Sequence, residues 1–519
     1  MNLSSMRPLQ PQTFPARGGL LRAKSGERVT VVGGGLAGCA AAVCLAERGV
    51  SVTLLERDSQ LGGRVSGWTD TLSDGRSFEM ERGFHAFFRQ YYNLRDLIRR
   101  IDPPLSSLTP LIDYPLLGPG GRSESFAGLP QKPPMNLISL VMRTPTLGLR
   151  DMLDIPTGPA LDMMAYREAT TFETYDQMSA GEFLDNLSFP EDARQMLFDI
   201  FAHSFFNPQH EMSAAEMLKM FHFYFTGNPE GLVFDVLDGP FSTRLWDPMR
   251  RYLESLGVQI ELDTEVEKLA HESGKWTTTH AAGDISSEGV VLAVTVPALQ
   301  SILSRSPSVR HPEWDSKILS LDVTLPFAVW RLWYPNPSNS SRAPFAGTTG
   351  VGLLDNISLY HLFEDESETW AKETGGSVVE LHAYAVPEDR TEEEIRSDLI
   401  QGLHALYPEY ANVQPLDERF FVRQDCPAFR TGSFARRPTV QTPFPGLCLA
   451  GDFVRLPVPS ALMEAAATSG LIAANELLAG WGIKGHAYKS VPVQGLLAGP
   501  KEASDWLAQG SRSLARLLR

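Results

Sequence analysis

The chain has 519 residues, 43% of them apolar, a formal net charge of −16 and four cysteines. That length supports a large core divided among two or three folding units, and an acidic chain without a Lys/Arg block is a poor nucleic-acid binder. Cys39, Cys44, Cys426 and Cys448 form no CxxC pair, which argues against zinc and against a disulfide framework and fits a reducing, cytoplasmic compartment.

Residues 1–26 form a Pro/Gly/Arg-rich lead without the continuous apolar run of a secretory signal. Residues 29–46 carry no charge, yet the GGGLAG within them reads as strand, turn and buried helix rather than as a membrane span. The strand covers 29–32. Gly33 then permits a tight turn, Gly35 lets a pyrophosphate approach the backbone, and Gly38 lets helix and strand pack closely. Leu36 and Ala37 open a helix whose N-terminus faces the phosphate charge. A second strand ends at Glu56, placed to accept hydrogen bonds from ribose hydroxyls, with Arg57 beside it. The strand before, the helix after and the acid at this spacing together indicate dinucleotide binding.

RDSQLGGRVSGW follows, with Gly62, Gly63 and Arg64. It is either a surface turn carrying one cation or a second backbone approach to the cofactor, with Arg64 near the phosphates. Taken with the first motif, it resembles the FAD-binding start of the amine oxidase and carotenoid desaturase superfamily. The resemblance implies an α/β fold: a discontinuous Rossmann-like FAD/NAD(P)-binding domain with an inserted α+β substrate domain.

On that likeness the FAD-binding parts are 27–110, 236–304 and 431–480. Residues 111–235 form a mainly helical cap, 305–430 a sheet, and 481–519 a C-terminal tail. The strand at Val266 would lie beside the adenine. The far end of the chain supplies Gly451 and Asp452 after a strand at 447–450, and Asp452 would hold the ribityl or pyrophosphate region. The helix start at Ala461, Leu462 and Met463 would aim its partial positive charge at the flavin N1–C2=O edge. No second GxGxxG is present, so electrons would come from an organic substrate and leave to a quinone, oxygen or a protein acceptor.

GFHAFFRQYY, at 83–92, falls where superfamily members bring a loop against the isoalloxazine. Backbone at Gly83 and Phe84 would then serve the flavin, while His85, Phe87 and Phe88 line the route to it; alternatively, the rings seal two domains together. This stretch, SFF at 204–206, 214–236 and 450–466 resemble the carotene desaturase/methyltransferase (isorenieratene synthase) family, and the likeness covers about 27–478.

The implied reaction converts the β-ionone ring of β-carotene or a related carotenoid into an aromatic φ- or χ-type ring. One of the two methyls on ring C1 must migrate to C2, and no external methyl donor is needed. Proton removal needs a base, for which His85 is the first candidate and Asp235 and Asp238 are the others; a turn-capping role suits the aspartates equally. Arg89 is expected to be structural. His203, His210 and His222 do not have metal-ligand spacing, so no metal is expected.

A carotenoid must be collected from a bilayer, so peripheral membrane contact is expected. It would come through a C-terminal helix with Leu507, Leu514 and Leu518 opposite Arg512, Arg516 and Arg519, or through an apolar patch at the tunnel mouth. The rival readings are a linear carotene desaturase or amine oxidase, and a non-catalytic FAD-fold escort of an isoprenoid or lipid.

Overall fold

The computed structural model describes residues 9–24, 26–133, 135–143, 157–187, 194 and 205–498. At its centre is a five-stranded sheet, in the order Gln259–Glu261, Ser51–Leu55, Arg28–Val32, Gly289–Leu292 and Leu447–Leu449. All of these neighbours pair in parallel. Short runs such as RVTVV and GVVL suit a sheet covered on both faces. The strands arrive from three separate stretches of chain, which brings both ends of the sequence to one sheet.

Helix Leu36–Ala46 is buried at every position, because LAGCAAAVCLA is small and apolar all round. It packs on helix Leu462–Gly480, and the contact is close: a Cβ at Gly470 would lie 2.0 Å from the Ala37 carbonyl oxygen. That second helix also fixes the segment after GFHAFFRQYY. The buried Glu464 carboxyl accepts the backbone N–H groups of Asn93 and Leu94, both at 2.9 Å, at the start of helix Tyr92–Ile98.

A seven-stranded mixed sheet forms the second layer, in the order Asp417–Arg423, Phe327–Tyr334, Ser377–Ala383, Asn356–Leu359, Phe345–Thr348, Leu116–Leu117 and Ser123–Glu124. Strand Phe327–Tyr334 is buried throughout. Its Ala328, Trp330, Leu332 and Tyr334 pack with Ile395, Leu399 and Leu403 of helix Glu392–Leu406, while Phe327 and Val329 face the other way. Three further strands, Phe87–Phe88, Phe234–Leu237 and Leu108–Leu111, make a small antiparallel sheet between the two layers.

The stretch 111–235 does carry helices, among them Met135–Arg143, Thr157–Met164, Glu168–Tyr175, Ala180–Asn186 and Ala214–Phe221. It also lends two short strands to the edge of the large sheet, too brief to show a periodicity of their own. Helix Ala214–Phe221 runs on into a π-helical turn at His222–Thr226, a local widening often found at functional sites. Gln12–Phe14 pairs with Tyr488–Ser490, tying the two ends of the described chain together. Among the described residues no helix is long and apolar enough to cross a membrane. His203, Ser204 and the expected amphipathic tail lie outside the described residues.

Candidate active site

One continuous cavity of about 590 Å³ runs from the parallel sheet to the seven-stranded sheet. At the first end the glycine loop is shaped by close approaches. Gly33 has φ +104°, and a Cβ there would lie 2.3 Å from the Ala293 carbonyl oxygen; a Cβ on Gly38 would lie 1.8 Å from the Gly33 oxygen. Gly35 differs, because a Cβ there meets no protein atom nearer than 3.8 Å and would project into open space along the cavity. The second glycine loop is tied to the first by the Gly62 N–H, which donates to the Gly34 carbonyl at 2.9 Å.

Glu56 lines this end together with Arg57, Thr264, Glu265 and Val266. Its Oε2 accepts the Gly34 N–H at 2.6 Å and its Oε1 the Asp58 N–H at 2.9 Å. Each oxygen retains acceptor capacity for a ligand hydroxyl. Burial pushes the carboxyl above its ordinary pKa, against the pull of those two N–H groups.

Arg64 lines the cavity but spends its guanidinium on Asp452, donating from its two terminal nitrogens at 2.9 and 2.6 Å. The pair joins the two glycine-bearing ends of the chain in the wall of the cavity. Gly451, at φ +143°, donates its N–H to Ser469 Oγ at 2.8 Å and turns Asp452 inward. The helix that follows has no side-chain cap, and its first residue, Leu462, has φ +48°, a conformation rare for leucine. Leu462 and Met463 reach the cavity, whereas Ala461 is buried behind them.

GFHAFFRQYY forms one wall of the cavity's middle. Phe84, His85, Ala86, Phe88 and Tyr91 line it, while Gly83 and Phe87 do not. Strand alternation explains Phe87, which turns into the core and meets Phe241 edge-on. Gly83, with φ +107°, is pressed against His382 and serves the site through its carbonyl: His85 Nδ1 lies 2.7 Å from it. A carbonyl only accepts, so Nδ1 donates and Nε2 keeps the lone pair. Burial lowers the His85 pKa to about 4, so the ring is neutral at physiological pH. Beyond it stand Phe206, Phe221, Tyr224, Phe225, Phe234 and Phe345.

The two candidate aspartates are placed elsewhere, and neither lines the cavity. In strand Phe234–Leu237 the Phe234 ring lines the cavity, while Asp235 is held by Arg95 at 2.6 Å, with Arg89 at 3.6 Å. Asp238 pairs with Arg244 at 2.9 Å. The structure thus places both candidate bases off the cavity and in ion pairs, with Arg89 against Asp235.

Sequence reading missed a polar group on the opposite wall. His382, Tyr384 and Asn356 all line the cavity. Glu380 Oε2 receives Arg331 Nε at 2.8 Å, Glu380 Oε1 lies 2.8 Å from His382 Nε2, and His382 Nδ1 lies 2.8 Å from Tyr384 Oη. Glu, His and Tyr at alternate positions in VVELHAY were the available signal, since three polar residues on one face of an otherwise apolar strand need a partner or a purpose. Arg82 with Asp425, joined at 2.8 Å, completes the polar lining.

The profile of flavin containing amine oxidoreductases matches residues 36–478. The chain belongs to this family. Over 491 aligned residues it is 44% identical to a carotenoid phi-ring synthase of Streptomyces griseus, covering 94% of this chain and 95% of that one. It is 28% identical to a carotenoid phi-ring synthase of Chlorobaculum tepidum, covering 91% of each. A redesigned triple mutant of putrescine oxidase shares the fold with a TM-score of 0.65 at 17% identity, over 88% of this chain and 99% of that one.

As a flavin amine oxidoreductase family member the protein is an FAD-dependent oxidoreductase, and its cavity fits that cofactor. The open space at Gly35 admits a pyrophosphate against backbone. Helices Leu36–Ala46 and Leu462–Gly480 both begin without a side-chain cap and with their first residues on the cavity, so each offers free N–H groups to an anionic or electron-rich edge.

Proposed function

We propose that the protein converts β-ionone end rings of a carotenoid, such as β-carotene, into aromatic φ-type rings by oxidation with intramolecular methyl migration. The observation that carries this reading is the continuity of the cavity: the flavin cradle opens directly into a chamber walled by aromatic rings, with an uncharged imidazole where the two meet. The two carotenoid phi-ring synthases it resembles supply the substrate class.

When bound, FAD supplies the two-electron oxidation by accepting hydride from the substrate. The chain's own residues handle what remains, a cation delocalised along the polyene. Phe84, Phe88, Phe234 and Phe345 exclude water that would trap it and offer π faces to the positive charge. Once a methyl has moved from C1 to C2, His85 Nε2 receives the proton whose loss forms the ring double bond. An acceptor outside the chain, a quinone, dioxygen or a protein, would take the electrons from the bound cofactor between turns.

The same reading places the protein peripherally on a membrane. Met135 and Met142 are exposed on the helix that lends Leu140 to the cavity, and Ile112 and Leu161 are exposed near other lining residues. These side chains suit contact with a lipid surface at the chamber's mouth.

Expression in bacteria that accumulate β-carotene, followed by chromatography and mass spectrometry of the pigments, tests the proposal. The expected product has unchanged carbon count and four hydrogens fewer per modified ring. Unaltered β-carotene alongside oxidation of a linear carotene in a parallel strain would replace this reading with a polyene desaturase.

A further inference from the structure

Aromatising one ring takes two oxidations, each removing a hydride and a proton, so two protons per ring must pass to the protein. His85 is one acceptor. Its hydrogen-bond partner among the described residues is the Gly83 carbonyl, and burial outweighs the pull of the Glu380 carboxylate, which makes no direct bond to it.

The opposite wall is built differently. Glu380 is fully buried, ion-paired with Arg331 and further approached by the Phe84 N–H at 3.0 Å. Despite its burial, Arg331 and His382 hold its carboxyl down at about 2, so it is an anion that only accepts. His382 Nε2 therefore donates to Glu380, which leaves the lone pair on Nδ1 facing the Tyr384 hydroxyl. Tyr384 Oη in turn accepts Asn356 Nδ2 at 2.9 Å. This is the arrangement of a nucleophile–His–carboxylate triad, with a phenol where the nucleophile stands.

The tyrosine is also held at its backbone. Its N–H donates to Asp355 Oδ2 at 2.6 Å, and Ala385, at φ +50°, turns the chain out of the strand directly after it. The two imidazoles flank one segment of the cavity wall: His85 bonds the Gly83 carbonyl, and the His382 ring fills the space where a Gly83 Cβ would be.

We propose that Tyr384 is a second proton acceptor of the reaction, with His382, Glu380 and Arg331 as positioning residues that draw its own proton inward. This rests on the ring-aromatising function above. With FAD bound, the cofactor would take up the substrate C–H electron pair as hydride, and the neighbouring C–H proton moves to Tyr384 Oη as the new C=C forms. The phenolic proton passes to His382 Nδ1. The product is an imidazolium against the Glu380 carboxylate, itself neutralised by Arg331; an external quinone or dioxygen would take the two electrons from the reduced cofactor. Burial pushes the Tyr384 phenol upward, so it works by exchanging its proton and not as a standing phenolate.

The test compares wild-type holoenzyme with Tyr384→Phe and His382→Gln, supplied with β-carotene in detergent or liposomes. Both variants are expected to keep their flavin content, flavin absorption spectrum and KM, to lose at least tenfold in kcat, and to accumulate rings two hydrogens lighter than the substrate. Fully aromatised rings formed at wild-type kcat by either folded variant would overturn the relay and leave the function standing. A wild-type enzyme that leaves the rings unaltered would overturn the function and the relay with it. A readout independent of turnover comes from holoenzyme labelled with 15N-histidine: His382 should show the Nε2–H tautomer, with an Nδ1 resonance that shifts in Tyr384→Phe. An Nδ1–H tautomer would overturn the proposal.

Discussion

Arg64 and Asp452 lie 388 positions apart in the chain and meet through two parallel hydrogen bonds in the wall of the cavity. Asp452 is 8% exposed, so removing Arg64 leaves a buried carboxylate without its cation. Breaking such a pair costs roughly 3–5 kcal/mol. Because the pair joins the loop after Gly63 to the loop after Gly451, the loss falls on the cradle. Arg64→Ala and Asp452→Ala are expected to purify with less than about a tenth of the wild-type flavin, read from the ratio of flavin to protein absorbance; at 1.4 kcal/mol per decade that is a conservative bound. Full flavin content in Arg64→Ala would show that the pair is dispensable.

Two neighbouring glycines should separate folding from cofactor binding. Gly38→Ala drives a Cβ to 1.8 Å from the Gly33 carbonyl and must push helix from strand. Gly35→Ala meets nothing nearer than 3.8 Å in the protein but projects into the pyrophosphate path. The first should lower Tm and yield, whereas the second should leave a folded protein with weakened FAD retention. Thermal unfolding and flavin content measured together decide it.

His85→Gln is expected to lower ring conversion by about a hundredfold or more, the usual contribution of a positioned base, with flavin content unchanged. Glutamine can still donate to the Gly83 carbonyl, so the loop geometry survives while the lone pair of Nε2 is lost. Quantified product per bound flavin is the measurement.

How far the sequence discloses this site depends on what each residue does. Gly33 and Gly38 are legible because the backbone itself demands them at that spacing, Gly35 because the motif needs open space beside it, and Glu56 because an acid ends the next strand. Arg64 is legible as a residue of interest but not as the partner of Asp452, since an ion pair across 388 positions leaves no local pattern. Asp235 is misread for want of strand register: in FDVL the phenylalanine and the aspartate must face opposite ways, and the aromatic side took the cavity. Glu380, His382 and Tyr384 pass as ordinary alternation, although polar residues at every second position mark one face. The two short strands at Leu116–Leu117 and Ser123–Glu124 have no periodicity to read, and only the sheet they join defines them.

Asp235→Asn tests its reassignment. Arg95, 14% exposed, would lose its close anionic partner. The protein should unfold at lower temperature, by several degrees, yet convert rings at the wild-type rate per bound flavin. A large loss of turnover in fully flavinated protein would return Asp235 to the list of bases.

His222 gives a pH signature that belongs to the fold. It is fully buried, donates from Nε2 to the Pro492 carbonyl at 2.6 Å and stacks on Tyr166 at 4.8 Å. Burial lowers its pKa to about 4, with the Pro492 carbonyl opposing. In the unfolded chain the ring titrates near 6.5, so between pH 6.5 and 4 the unfolded state binds a proton that the folded state refuses. Stability from this group is therefore intact above pH 6.5 and drains away as pH falls toward 4, by roughly 3 kcal/mol at most. Glu81 and Glu464, pushed up to about 8 by burial, act in the opposite sense, losing stability as pH rises from 4.5 toward 8. They are common to wild type and His222→Gln, so they cancel in the comparison. The Tm advantage of wild type over His222→Gln should be largest near pH 7 and shrink steadily to pH 4.5. A difference that stays constant over that range would mean that the buried imidazole takes up a proton in the folded protein as readily as in the unfolded one.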